Sequence, residues 1–171
     1  MTEEDKYSEP RAHELRARYV ATFGGAELPV PVDAVAEDLL GLHISEADLD
    51  GISGLLYPAR RRIVVNAADS PARKRFTVAH ELGHWICQCQ DGPEVEVFCR
   101  AEDVTLDPDA RAVEREANIF AAELLMPEPA VREAWAGDAE ETAERFGVSA
   151  EAMRWRLYSF GLSSQPQAYL G

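Results

Sequence analysis

The chain has 171 residues, which suits one domain with at most a small appendage and is long enough to enclose a core. Its composition, 46% hydrophobic and 28% charged, is that of a soluble globular protein, and its apolar runs fall well short of the roughly 20 residues that cross a membrane. The formal net charge of −14 argues against general binding to nucleic acid or anionic membranes, which requires clustered Lys and Arg. A basic protein partner remains compatible with this charge.

The first twenty residues are charged throughout and lack the apolar centre of a secretory signal, so we expect a cytoplasmic protein. The chain contains three cysteines, Cys87, Cys89 and Cys99. Because this number is odd and no export signal is present, free thiols are expected rather than a disulfide framework.

Apolar spacing and turn residues divide the first half of the chain into short elements. The pattern predicts an amphipathic helix over residues 10–23 and a second helix that starts after Pro31 and stops at Gly41. Three β-rich stretches then follow, at residues 42–49, 51–59 and 61–66, separated by turn residues. They predict a small antiparallel sheet.

The next helix carries the most informative motif of the chain. A Ser-Pro pair predicts its start, and the helix should cover residues 70–89, including "AHELGH". His80 and His84 lie four residues apart on one helical face, so their imidazoles can hold a single ion. Glu81 lies beside them, off the metal axis, where it suits a base that takes a proton from water made acidic by the metal.

The other two histidines are poor candidates for a metal site. His13 and Glu14 belong to a second His-Glu-Leu triplet, but Ala17 stands where its second histidine would be required, so both are interpreted as solvated helix residues. His43 lies beside a predicted strand and is given a structural or surface role. A catalytic zinc site has three protein ligands, so the third must be a carboxylate.

Candidate carboxylates lie on a strongly helical stretch, residues 108–126, that prolines end. Glu114 is preferred as the third ligand, because small residues follow it at three and seven positions and would allow the motif helix to lie close. Asn118 faces the same way and could orient a ligating histidine. Glu116 points to the opposite edge of the helix and is the rival, while Glu123 lies deeper and is the weaker alternative.

The C-terminal part is predicted to be helical. Residues 94–100 alternate like a strand, and residues 143–157 have the pattern of a helix-turn-helix, with Arg154 and Arg156 on its second helix. Acidic residues outnumber basic ones in this region, which is a poor phosphate-binding surface. We therefore expect it to pack on the core or contact a partner, with Trp155 partly buried.

Several segments together resemble the ImmA/IrrE family of intracellular metallopeptidases. They are "IVVN" at residues 63–66, "RKRFTVAHELGHWIC" at residues 73–87, "EREANIFAAELLMP" at residues 114–127 and "AERFGVSAEAMRWRLYSFGL" at residues 143–162. The resemblance implies an α+β fold with a zincin-like metallopeptidase core and a small antiparallel sheet at residues 1–129. The short helical stretches after residue 129 predict a helical, helix-turn-helix-like C-terminal subdomain at residues 130–171.

The resemblance also implies roles for individual residues. His80, His84 and Glu114 would bind one Zn²⁺, or another divalent ion, and Glu81 would activate water. Thermolysin-like zincins carry the third ligand in an "E-x-x-x-D" helix, and here Asn118 stands in place of the aspartate.

Family members commonly cut a repressor of the helix-turn-helix type and so release stress-response or mobile-element genes. The expected partner is therefore such a repressor, without direct nucleic-acid binding and without a membrane. Two alternatives remain: a DNA-binding regulator, which the helix-turn-helix pattern suggests, and a module that keeps the fold and binds the repressor implied by the resemblance without peptidase activity.

Overall fold

The computed structural model describes residues 5–25, 28–89, 98–101 and 108–166. The helices are α1 (Asp5–Phe23), α2 (Val32–Ala34, continued by a π-helical turn, Val35–Leu39), α3 (Pro71–Gln88), α4 (Pro108–Leu125), α5 (Glu128–Ala134), α6 (Ala139–Phe146) and α7 (Ala150–Ser159). The strands are β1 (His43–Ala47), β2 (Ile52–Tyr57), β3 (Arg62–Asn66) and β4 (Phe98–Ala101), and a 3₁₀ turn (Pro58–Arg60) joins β2 to β3. The α+β fold predicted from the sequence is confirmed.

The four strands form one sheet in the order β1-β3-β2-β4. β2 pairs antiparallel with both β3 and β4, whereas β1 pairs parallel with β3. The sheet is therefore mixed, and the prediction of a wholly antiparallel sheet is wrong. The chain reverses direction twice between β1 and β3, so these two strands run the same way, and β3 inserts between β1 and β2.

Helix α3 lies at the centre of the fold, with β2 and β3 on one side and α4 on the other. The Oγ atom of Ser70 accepts a hydrogen bond from the backbone N–H of Arg73 (3.3 Å), and proline follows at the first helical position, as predicted. Gly83 allows the close approach of α4, because a Cβ atom at this position would lie 2.9 Å from the Cα of Ala117. Small residues thus set the spacing between the two helices.

The N-terminal elements complete the core. Helix α1 begins at Asp5, five residues before the predicted start at Pro10, and packs against α4 and α3 with Ala12 and Leu15 buried. The second helix ends before Gly41, as predicted, but its second part has π-helical hydrogen bonding. None of the described helices is both long and apolar enough to cross a membrane.

The C-terminal helices share the core of the rest of the chain. Val131, Phe146, Met153 and Leu157 are fully buried and belong to the same apolar cluster as the residues of α3 and α4. Helix α3 also contributes Arg75, whose guanidinium donates hydrogen bonds to the carbonyls of residues 147 (3.1 Å) and 30 (2.8 Å). The division of the chain into units at residue 129 stays a prediction.

Candidate metal centre

Three side chains from α3 and α4 meet at one point. The Nε2 atoms of His80 and His84 lie 3.1 Å apart, and they lie 3.1 and 3.2 Å from the two carboxylate oxygens of Glu114. Both imidazoles are fully buried, while the Glu114 side chain is 26% exposed. One donor atom from each residue can be chosen so that all three lie within 4.8 Å of one another, a spacing that could hold a metal ion.

The Nδ1 atom of each imidazole is hydrogen-bonded to a neutral side-chain amide group. The Nδ1–H group of His80 donates to Oδ1 of Asn118 (3.0 Å), and that of His84 donates to Oε1 of Gln88 (3.0 Å). The sequence predicts the position of Asn118. Gln88 was missed, although its place four residues after His84 on the same helix was a usable signal.

This arrangement fits a divalent cation. With both Nδ1 atoms protonated, each Nε2 atom directs a lone pair toward the Glu114 carboxylate, so three acceptors converge and repel one another unless a proton or a cation lies between them. Two imidazoles and one carboxylate form a ligand set of catalytic zinc sites, and a hydrogen bond at the second ring nitrogen is the usual support of a ligating histidine.

The pKa values reflect the same convergence in the ion-free protein. Burial alone would raise the pKa of Glu114, but hydrogen bonds from His80 and His84 lower it to about 2. Burial alone would lower the pKa of His84, but the hydrogen bond to Glu114 and the nearby charges of Glu81 and Glu114 raise it. The site therefore favours positive charge between its three side chains, which a metal ion would also supply.

The structure distinguishes between the candidate glutamates. Glu116 does not reach the histidine pair; its Oε2 atom accepts a hydrogen bond from Nε2 of Gln88 (2.6 Å), and its Oε1 atom lies 4.0 Å from the guanidinium of Arg11. Glu123 is buried in an ion pair with Arg156. The preferred candidate, Glu114, is thus the one that meets the imidazoles, and Glu116 supports His84 indirectly through Gln88.

Glu81 is fully buried immediately beside the pair. Strand β2 passes directly over it at Gly54, where a Cβ atom would lie 3.1 Å from Oε1 of Glu81 and would collide with Thr77. Glycine at this position lets the sheet approach the carboxylate closely. The importance of Gly54 was missed in the sequence, since a glycine within a strand indicates a close backbone approach without naming its partner.

The remaining histidines lie outside this cluster. His13 is on the exposed side of α1, and its Nε2 atom lies 3.2 Å from Oε2 of Glu123. His43 is exposed at the start of β1, 3.6 Å from the carboxylate of Glu37. Both positions agree with the surface roles predicted for them.

Two of the three cysteines can be described. Cys87 and Cys89 are free thiols, as predicted. Burial, partly opposed by Arg11, raises the pKa of Cys87 to about 11. Cys99 belongs to β4, but its side chain lies outside the described residues.

The predicted helix-turn-helix pattern corresponds to α6 and α7. Ser149 caps α7 by accepting a hydrogen bond from a backbone N–H (3.1 Å). Arg154 pairs with Glu140, and Arg156 pairs with Glu123 while donating to a backbone carbonyl on the core side (3.0 Å). Both arginines that a DNA-binding interpretation requires are therefore engaged within the protein.

Comparison with known proteins agrees with the geometry. A family model described as the IrrE N-terminal-like domain, a peptidase family, matches residues 37–158. The radiation response metalloprotease IrrE of Deinococcus radiodurans is 30% identical over 143 residues, which covers 84% of this chain and 39% of that protein. Its namesake in Deinococcus deserti is 27% identical over 143 residues, covering 83% of this chain and 47% of that protein.

A solved structure supports the fold alone. The Mycobacterium tuberculosis structure titled "transcriptional regulator" matches with a TM-score of 0.58 at 21% identity, over 92% of this chain and 47% of that one. The chain thus spans less than half the length of each of these relatives. Because the family model covers more than half of the chain, the chain belongs to the IrrE N-terminal-like metallopeptidase family.

Proposed function

We propose that the chain is a zinc metallopeptidase that hydrolyses a peptide bond in a protein. The observation that carries the proposal is the convergence of His80, His84 and Glu114 on one point, with both imidazoles fixed at Nδ1. Family membership implies a metal ion, and these nitrogen and oxygen donors suit Zn²⁺. A bound zinc ion supplies Lewis acidity, which makes water more acidic and polarises a carbonyl group.

In this proposal Glu81 is the general base. Its carboxylate adjoins His80 in the sequence, is closed off from bulk solvent and faces the β2 backbone at Gly54. It accepts the proton of the attacking water and then donates that proton to the departing amine nitrogen. Asn118 and Gln88 keep the imidazole rings in the orientation and tautomer that direct each Nε2 lone pair to the metal.

An extended substrate would add to the sheet at β4. Strand β3 cannot take an added strand, because it lies between β1 and β2 and both of its edges are occupied. Among the described strands, β4 is the edge on the side of β2, the strand that covers Glu81. Backbone pairing at this edge would hold the peptide extended for attack.

The proposed substrate is a helix-turn-helix transcriptional repressor, cut at one bond in stress response or mobile-element control. Family resemblance supports this class, and the relatives named above carry a radiation-response name. A DNA-binding protein is basic on its binding face, which suits a chain with a net charge of −14. The internal pairing of Arg154 and Arg156 does not favour direct DNA binding by this chain.

A three-variant comparison tests the activity. The zinc-loaded wild type, Glu81→Gln and Glu14→Gln would each be incubated with candidate helix-turn-helix repressors from the same genome, starting with any that is encoded beside this gene, and the products mapped by mass spectrometry. Glu14 belongs to the second His-Glu-Leu triplet, on the exposed side of α1, and is the matched control.

We expect one cleavage by the wild type and by Glu14→Gln. Glu81→Gln should retain stoichiometric zinc without cutting. Cleavage by Glu81→Gln at the wild-type rate would overturn the role of Glu81. Tight repressor binding without cleavage by the zinc-loaded wild type would favour a binding module instead.

A further inference from the structure

An apolar groove lies beside the candidate metal centre, at the junction of α3, α4 and α7. Its walls are mostly apolar, with two polar residues at the side of α7, and its volume is about 280 Å³: Phe76, Ala122, Met126, Ala152, Trp155, Arg156 and Ser159. We call it the Trp155 groove. Trp155 is 43% exposed, more than its predicted partly buried position implied, and is one of the most exposed large apolar side chains among the described residues.

The Trp155 groove continues the helical faces that carry the metal ligands. Helices α3 and α4 pack with His84 beside Glu114 (3.2 Å) and His80 beside Asn118 (3.0 Å). One turn farther along each helix, residues 76 and 122 line the groove together. The same faces of α3 and α4 therefore carry both the candidate metal ligands and the groove. Asn118, which lies between the metal centre and the groove on α4, is exposed.

The chemistry of the walls selects an apolar occupant. Aromatic, thioether and methyl groups form most of the surface, and the guanidinium of Arg156 that adjoins it is paired with Glu123. A charged side chain entering here would lose its hydration without gaining an opposite charge. An aliphatic or aromatic side chain would bury apolar area against Phe76 and Trp155.

We propose that the Trp155 groove is a specificity subsite that binds an apolar side chain of the substrate polypeptide. This inference rests on the proposed peptidase function and adds a sequence preference to it. Phe76 precedes His80 by one helical turn, about 6 Å along the axis, and an extended peptide advances about 3.3 Å per residue. The recognised side chain therefore lies about two residues from the scissile bond.

A binding experiment tests the groove independently of catalysis. The zinc-loaded full chain would be titrated with N-acetylleucinamide, and with N-acetylaspartamide as the polar control, while the tryptophan indole N–H signals are followed by NMR. The chain has three tryptophans, and the Trp155 signal is identified by its loss in Trp155→Phe. A saturable shift of that signal by the leucine compound alone supports the groove. The absence of a shift, or an equal shift by both compounds, overturns it.

A cleavage experiment tests the preference itself. A peptide pool from a digested proteome would be treated with the wild type, Trp155→Ala, Trp155→Phe and Phe23→Ala, and the cut bonds read by mass spectrometry. Phe23 is a 49% exposed aromatic residue on α1 and serves as the matched control. Melting temperatures confirm that each variant is folded.

We expect an apolar residue about two positions from the cut bond in peptides cleaved by the wild type, by Trp155→Phe and by Phe23→Ala. Trp155→Ala should lose this preference, with kcat/KM for such peptides lowered about tenfold or more. An unchanged preference in Trp155→Ala overturns the inference while leaving the peptidase function intact. If the wild type cuts no peptide, the peptidase proposal fails for this pool, and the indole titration still decides whether the groove binds apolar side chains.

Discussion

Substitution of Gly83 by alanine should separate α3 from α4 and so damage the metal centre. The new Cβ atom would lie 2.9 Å from the Cα, 3.1 Å from the carbonyl oxygen and 3.3 Å from the Cβ of Ala117. Unstrained carbon contacts begin near 3.5 Å, so the helices must move apart by about 0.6 Å. Two of the three contacted atoms belong to the backbone of α4, which cannot rotate away.

The expected change in the free energy of unfolding has two opposing parts. Replacing glycine by alanine inside a helix normally stabilises it by about 1 kcal/mol. Overpacking costs about 1 to 3 kcal/mol, and a collision with backbone atoms belongs at the upper end of that range. The net loss is about 2 kcal/mol, which lowers the melting temperature of a chain of this size by about 4 to 8 °C.

The zinc affinity should fall as well, because Glu114 and Asn118 lie within one turn of Ala117 on α4. Metal–ligand distances tolerate errors of only about 0.2 Å, so a 0.6 Å displacement should weaken zinc binding about tenfold or more. Thermal unfolding by circular dichroism and competition with a chromophoric chelator measure the two effects. The double variant Gly83→Ala with Ala117→Gly should recover little, since the backbone collision remains. A single variant as stable as the wild type, with unchanged zinc affinity, would refute the close packing of α3 and α4.

Three further predictions concern groups around the centre. Gln88→Leu removes the acceptor of the His84 Nδ1–H group and should lower the zinc affinity about 10- to 100-fold in a chelator competition, with a smaller effect from Glu116→Gln. Equal zinc affinities for the wild type and Gln88→Leu would contradict the role of Gln88 in positioning His84. Because the pKa of His84 is raised in the ion-free protein, zinc binding at pH 6.5 should release a proton, and the zinc affinity should fall as the pH drops through that pKa. Calorimetry in buffers of different ionisation enthalpy measures the proton release, and no release should be found if His84 is already neutral. Cys87, with a pKa of about 11 against an ordinary 9.0, should resist iodoacetamide at pH 8 in the folded protein, while the unfolded chain reacts. Since the folded state holds the thiol proton more tightly, the contribution of Cys87 to stability is lost as the pH rises from about 9 to 11. Rapid labelling of the folded protein at pH 8 would contradict the burial of this thiol.

The helices and the histidine pair could be predicted from local sequence patterns alone. The Ser-Pro start of α3 and the four-residue spacing of His80 and His84 depend only on neighbouring residues, and both are present in the structure. Helical geometry places Glu114 and Glu116 on opposite edges of α4, and the small residues three and seven positions after Glu114 favoured it over Glu116. The structure brings only Glu114 to the imidazoles.

Features set by long-range packing could not be predicted in the same way. The parallel pairing of β1 with β3 arises because β3 lies between β1 and β2. Short strands of similar composition do not determine this order through their local sequence. Gly54 lets strand β2 approach Glu81, and Gln88 accepts a hydrogen bond from His84 while donating one to Glu116 on α4. These contacts could not be predicted, because they depend on how the sheet and α4 pack around α3. The exposure of Trp155 likewise depends on how α7 lies against α3.

The most direct test of a single metal centre at His80, His84 and Glu114 is the zinc content of two matched variants. The variants Glu114→Ala and Glu116→Ala each remove one carboxylate from helix α4. We predict that, after dialysis against a weak chelator, Glu116→Ala retains close to one zinc ion per chain and Glu114→Ala retains almost none. Full zinc content in Glu114→Ala, or its loss only in Glu116→Ala, would contradict the assignment.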